Sequence, residues 1–390
     1  MVKIKISRTV WVLCFISLFT DISSEMLYPV MPVYLKSIGF SAMIIGLLEG
    51  FAEATAGFSK GYFGNLSDRT GKRSLFVRFG YGLSSVSKPM LAAFTFPLGI
   101  FFARTIDRLG KGIRTSARDA ILSSESTPET KGRIFGLHRG LDTAGAFIGP
   151  VFALLFLLFY PDKFISLFLI AFIPGLFSIF LSFFIKDSQV KQNPNVKGTG
   201  FFSFLKYWKV SGKEYKKLVI GLLFFALMNS SDIFLLLMIK FIGYTNTEVI
   251  AAYIFYNLIY AVLSYPVGII ADKTGLKNIF ITGLFIFAIV YGGMAFQPSL
   301  LVIFILFFFY AIYASATESI SKAWITNIAK KEDTATAIGF FTGFSSVFTL
   351  FASIIAGFLW SAFSPSVTFE VSAIGAILVA IYIFISFHKK

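Results

Sequence analysis

The 390-residue chain puts charged side chains inside stretches that are otherwise almost wholly apolar. Asp21 and Glu25 stand four residues apart in the run 9–36, and Glu49 and Glu53 repeat that spacing in the run 41–63. Between 97 and 119 come Arg104, Asp107, Arg108, Lys111, Arg114 and Arg118. At the helical rotation of 100° per residue these six fall on one stripe roughly 120° wide. Lys88 interrupts the run 75–95; Arg139 and Asp142, with His138 beside them, interrupt the run 134–160. The second half is sparser, with Asp232, Glu318 and Lys322. A charge at bilayer depth is costly and must face protein or water, so each of these residues is a candidate for ligand binding, proton transfer or ion pairing. Two readings stay open. In one, the first half holds a charged cavity whose carboxylates bind and release protons. In the other, neutralising ion pairs hold the helices together.

The elements that must position these groups follow from composition. The chain is 56% hydrophobic, with a mean hydropathy of +0.78 and 50 Phe, more apolar surface than soluble cores of this size bury. About 20 apolar residues cross a bilayer as a helix. Such runs predict spans over 9–36, 41–63, 75–95, 97–119, 134–160 and 163–185, then 218–241, 247–270, 278–297, 299–325, 334–362 and 367–387. The sequence therefore predicts an all-α membrane protein with twelve transmembrane helices in two pseudo-symmetric six-helix bundles, 1–185 and 218–390. The polar stretch 186–217, with Asn193-Pro194-Asn195 and Lys197-Gly198-Thr199-Gly200, reads as a linker. Lys3, Lys5 and Arg8 before the first run resemble a signal peptide. The run is too long for one and lacks a small-x-small cleavage site, so it reads as span 1.

The formal net charge is +15, and Lys and Arg gather in alternate loops: Lys3 to Arg8, Arg69 to Arg73, Lys131 and Arg133, Lys186 to Lys217, Lys273 and Lys277, Lys330 and Lys331, Lys389 and Lys390. The opposite loops hold little beyond Lys36, Lys163 and Lys240. This asymmetry predicts cytoplasmic termini and linker, and explains the basic excess by the membrane rather than by nucleic acid. The halves also repeat. Gly64-Asn65-Leu66-Ser67-Asp68-Arg69-Thr70-Gly71-Lys72 matches Gly268-Ile269-Ile270-Ala271-Asp272-Lys273-Thr274-Gly275 at an offset of 204 residues, and Gly136 matches Gly339 at 203. Two anchors at nearly one offset predict a duplicated six-span unit.

At these residues the chain resembles the major facilitator superfamily. Gly64, Asp68, Arg69, Gly71, Lys72 and Arg73 fit that family's loop motif between spans 2 and 3, and Asp272 with Lys273 fits its degenerate copy. The resemblance implies a conformational gate at this loop. Gly136, Gly145, Gly149 and Pro150 resemble the antiporter motif of span 5, although Ala153 and Leu154 stand where the family has a Gly pair. Glycines four residues apart also suit tight helix packing by itself. Arg108 to Gly112 looks like the family's span-4 arginine motif with Lys111 replacing Gln. The resemblance covers the whole chain and names a superfamily rather than a substrate.

The function expected is secondary active transport by alternating access, exporting a small organic molecule with protons as coupling ion. The chain is expected to be a monomer in the plasma, or bacterial inner, membrane. One alternative is uptake or exchange of an anionic metabolite on Arg104, Arg108 and Lys111; another is a receptor or enzyme on a transporter scaffold. No catalytic constellation is seen. Neither Gly71-Lys72 nor Gly110-Lys111 has the Gly that a phosphate-binding loop needs five residues earlier. The lone Cys14 with His138 and His388 makes no metal set, so no cofactor, metal or nucleic acid is expected. Pro29, Pro32, Pro150, Pro174 and Pro266 sit in apolar runs as candidate kinks.

Overall fold

A computed structural model describes residues 6–28, 30–31, 34–35, 38–39, 42–187, 202–230 and 232–387, and for Glu49 and Glu53 the helical backbone alone. Lys3, Lys5, Pro29, Pro32, Lys36, the linker stretch 188–201, His388, Lys389 and Lys390 lie outside the described residues. The first-half helices are α1 Arg8–Glu25, α2 Ala42–Thr70, α3 Arg73–Ala93, α4 Pro97–Ser124, α5 Lys131–Phe159 and α6 Phe164–Ser182. The second half has α7 Lys213–Met228, α8 Ile233–Ile242, α9 Asn246–Thr274, α10 Leu276–Ala295, α11 Leu300–Ile328, α12 Thr334–Ala362 and α13 Pro365–Ser386. Short helical turns at Ser203–Lys206 and Tyr207–Val210 precede α7. The described residues contain no strand.

Eight helical segments among the described residues are long and apolar enough to cross a membrane: α5, α6, α7 with α8, and α9 to α13. Helices α1 to α4 are not among these eight. The repeated loop motif shows in the backbone. Helix α2 stops at Gly71 with φ of 66°, and α9 stops at Gly275 with φ of 94°, so each copy ends its helix on a left-handed glycine.

The expected span 218–241 falls within the apolar segment Lys213–Ile242, and the segment contains a break: α7 ends at Met228, Asn229 adopts φ −92° and ψ 94°, and α8 starts only at Ile233. Asn229, Ser230 and Asp232 cluster at this break. Short polar side chains compete for backbone hydrogen bonds, and here they interrupt an otherwise apolar helix.

The helices cluster into two compact units: residues 1–127, 141–210 and 330–343, and residues 128–140, 211–329 and 344–390. Helix α5 thus begins in the second unit and continues in the first, and α12 does the reverse.

Glycines set the spacing inside the first unit. A Cβ on Gly80 of α3 would lie 2.6 Å from the Gly110 carbonyl oxygen of α4, and a Cβ on Gly110 would meet the Gly80 carbonyl. Helix α5 approaches α1 the same way: a Cβ on Gly145 would lie 2.5 Å from the Leu18 carbonyl oxygen and 2.9 Å from Asp21 Cβ, and one on Gly149 would meet the Ile22 carbonyl at 2.8 Å. Gly110→Val is therefore expected to lower the melting temperature of the purified protein, overpacking costing about 1–3 kcal/mol. Gly82→Val on α3, where nothing lies within 4 Å, should leave it nearly unchanged.

Candidate functional site

The glycine contacts bring charged groups of four helices together in the first unit. On α4, Arg104, Asp107, Arg114, Arg118 and Asp119 are buried, while Arg108 and Lys111 are half-buried. Lys88 of α3 donates to Asp107 at 2.8 Å and to Ser24 of α1 at 3.1 Å. Arg104 and Arg108 also act electrostatically on Asp107. Arg118 pairs with Asp119 at 2.9 Å, reaches Asp142 of α5 at 3.9 Å and donates to Ser17 of α1 at 3.2 Å. Arg114 donates to Ser84 and lies 4.5 Å from the Tyr81 ring centre, a cation–π contact. On α1, Asp21 has Asp142 of α5 as its strongest charged neighbour, with Glu25 and Lys111 beyond it. Glu25 itself feels Lys111, Arg108, Asp142 and Asp107.

The repeated motif aspartates do a second kind of work. Asp68, buried at the end of α2, accepts from Arg73 at 2.6 Å and from the backbone N–H and hydroxyl of Thr336 at 2.7 and 2.9 Å. Thr336 lies in the first turn of α12, where backbone N–H groups lack intrahelical partners, so the carboxylate caps that helix. Asp272, at the end of α9, accepts from the Gly132 and Arg133 N–H groups at 2.7 and 3.1 Å and from Arg133 Nε at 2.7 Å, capping α5 in the same way. The two caps are related by the 204-residue offset, Asp68 to Asp272 and Gly132 to Thr336. Close backbone approach accompanies both. A Cβ on Gly64 would lie 2.5 Å from the Ala335 carbonyl oxygen, and one on Gly268 would strike the Gly132 carbonyl. Arg73 further donates to the Lys331 carbonyl at 3.1 Å. Arg69 is half-buried, whereas Lys72 and Lys273 are exposed.

The span-5 pattern divides between the units. Gly136 packs on the Ser264 carbonyl of α9 in the second unit, and Gly145 and Gly149 pack on α1 in the first, with Pro150 following inside α5. Arg139 belongs to the second unit. It donates to the Tyr260 hydroxyl at 2.7 Å and pairs with Glu318 of α11. Asp232, at the break before α8, accepts from the Tyr310 hydroxyl at 2.6 Å. His138 is buried. Among the described residues no group of His, Cys, Asp and Glu is arranged to hold a metal ion.

A family model described as Major Facilitator Superfamily matches residues 13–257 and 218–390. The chain belongs to the major facilitator superfamily. It is a multi-pass integral membrane protein and a transporter rather than an enzyme. An uncharacterised transporter of this superfamily from Methanocaldococcus jannaschii is 35% identical over 384 residues, covering 96% of this chain and 94% of that protein. The quinolone resistance protein NorA of Staphylococcus aureus is 26% identical over 144 residues, 37% of each chain. Among solved structures, the human organic anion transporter MFSD10 superposes with a TM-score of 0.80 at 13% identity, over 96% of this chain and 99% of that one. The Escherichia coli fucose:proton symporter gives 0.77 at 12% identity, over 97% and 98%. These two share the superfamily fold.

Several participants escape a charge-based reading of the sequence. Tyr81 and Ser84 lie seven and four residues before Lys88 on α3, a helical spacing that places these neutral residues on the face of the charged one. Ser17, Ser24, Thr336, Tyr260 and Tyr310 carry no such signal, because an isolated hydroxyl in an apolar helix looks the same whether or not it meets a partner. The Lys88–Asp107 pair offers a direct check. Lys88→Met leaves Asp107 buried without its ammonium and is expected to cost about 3–5 kcal/mol, whereas Lys88→Met with Asp107→Leu recovers most of that. Denaturation of the two variants in detergent measures the difference.

Proposed function

We propose that this transporter works by alternating access and exports a small organic molecule in exchange for protons, the Asp21–Asp142 pair carrying the proton. The observation behind the reading is that Gly145 and Gly149 press α5 onto α1 beside Asp21, which puts the Asp142 and Asp21 carboxyls within electrostatic reach of one another. Export is supported by the span-5 glycine pattern and by the partial similarity to NorA, named for drug resistance. Twelve spans in two bundles, cytoplasmic termini and linker, a plasma-membrane location and a monomeric state complete the proposal, on the strength of the loop charges and the repeat. In this reading Asp68 and Asp272 form the gate. Each cap contributes only while the first turn of the capped helix stays within hydrogen-bond reach, so a shift of one helix end removes it outright.

The rival reading, an anionic substrate on Arg104, Arg108 and Lys111, needs uncompensated positive charge. The first unit sets Lys88, Arg104, Arg108, Lys111, Arg114 and Arg118 against Asp21, Glu25, Asp107, Asp119 and Asp142, with Glu49 and Glu53 on α2 in addition. That near balance favours internal pairing over anion capture.

Proteoliposomes loaded with a fluorescent quinolone test the proposal. An imposed pH gradient, acidic on the side opposite the loaded dye, should drive efflux that a protonophore abolishes. Asp21→Asn and Asp142→Asn should each slow gradient-driven efflux about tenfold or more, a loss of about 1.4 kcal/mol or greater. Gradient-driven efflux at the unaltered rate in both variants would remove the pair from the mechanism.

A further inference from the structure

Among the described residues of the second unit, Asp232 makes no ion pair of its own. Among the described residues, the charged groups acting on Asp232 are Glu318 and Arg139. These two pair with each other, and Arg139 also donates to Tyr260. The hydrogen bond to Asp232 comes from a neutral group, the Tyr310 hydroxyl at 2.6 Å. Asp232 is nonetheless exposed. The direction of that exposure follows from its helix. Helix α8 buries Leu235, Met238 and Ile239, and Asp232, three and seven residues before two of them, continues their face. Ile233, Leu237 and Phe241, which are exposed, mark the opposite face. Asp232 therefore opens into the interior of the unit and away from the lipid-facing side, as an intramembrane carboxylate must.

Aromatic rings back this opening. Tyr310 lies 5.0 Å from Tyr256 and 5.2 Å from Tyr313, between ring centres. Tyr313 accepts from Asn229 Nδ2 at 3.0 Å, so the α7–α8 break is tied to the same layer. At the break, among the described residues, the buried Asn229 Oδ1 and Ser230 Oγ have no hydrogen-bond partner, and Ser230 is 4% exposed. Buried polar atoms without partners, a broken helix and an uncompensated carboxylate before tyrosine rings together describe a site prepared for a ligand.

We propose that the α7–α8 break is a binding subsite for an organic cation, with Asp232 as its counter-ion and the Tyr256–Tyr310 layer as its aromatic wall. The chemistry follows from the parts. A carboxylate selects positive charge, and ring faces favour an amine or quaternary ammonium carried on an apolar body over an inorganic ion. Asn229 and Ser230 supply the remaining polar contacts. The proposal rests on the transport reading and names a substrate class for it.

Equilibrium binding to the full-length protein in lipid nanodiscs tests this without any gradient, so a failure of proton coupling leaves it standing and its own failure leaves coupling untouched. The probes are benzyltrimethylammonium, its uncharged carbon isostere neopentylbenzene, and phenylacetate. Benzyltrimethylammonium should bind and raise the melting temperature, and the other two should not. Asp232→Asn, which keeps side-chain size and an acceptor for Tyr310, should weaken the cation about tenfold or more. Ser230→Ala, a milder change, should weaken it less, which guards against a folding defect in the first variant. No cation binding at millimolar concentration, equal affinity in Asp232→Asn, or preference for phenylacetate would each overturn the proposal. So would an Asp232→Asn variant that loses only the pH dependence of binding, since Asp232 would then be a proton site alone.

Discussion

The constraint behind this structure is the cost of taking charge out of water. Helix α4 carries Arg104, Asp107, Arg108, Lys111, Arg114 and Arg118 on one stripe, and no such stripe is stable against hydrocarbon. Its neighbours must therefore bring acids and hydroxyls close enough to satisfy it. Lys88, Ser84 and Tyr81 come from α3, Asp21 and Ser17 from α1, and Asp142 from α5. The same helices also approach closely, through the reciprocal Gly80–Gly110 contact and the Gly145 and Gly149 contacts on α1. The glycines and the charges are two sides of one packing solution.

The duplicated motif obeys a related rule at the helix ends. Four N–H groups at each helix start lack internal partners, and burial of such an end needs an acceptor. Asp68 supplies it to α12 and Asp272 to α5, each aspartate serving a helix from the other half of the sequence. This exchange explains why the compact units do not coincide with the sequence halves. The first turn of α12 clusters with α2, and that of α5 clusters with α9. A motif that looks like a basic surface loop is, at its aspartate, a buried helix cap.

Much of this was legible in the sequence. Charges in apolar runs are conspicuous because they are expensive, and the 204-residue repeat stands out because its glycines and aspartates have few substitutes. The family followed from the same residues. The interruption at 229–232 was not legible, because Asn229-Ser230-Ser231-Asp232 sits inside a run whose mean hydropathy still reads as one span. Window averages measure cost of transfer, whereas the break depends on local competition for backbone hydrogen bonds. Nor could spacing show which charges pair. Asp107 and Glu25 look equivalent as buried acids, and only the fold reveals that Lys88 reaches the first at 2.8 Å.

The two units arrange the charges of their apolar helices differently. In the first, acids and bases are interleaved, so inserting a further ion means breaking an existing pair, at the full penalty of the charge left behind. A proton is the exception, since it neutralises an acid without needing room. In the second, Arg139 and Glu318 answer each other and leave Asp232 with a tyrosine hydroxyl. In the proposed scheme a compensated network serves the proton, and an exposed acid before aromatic rings serves a cation.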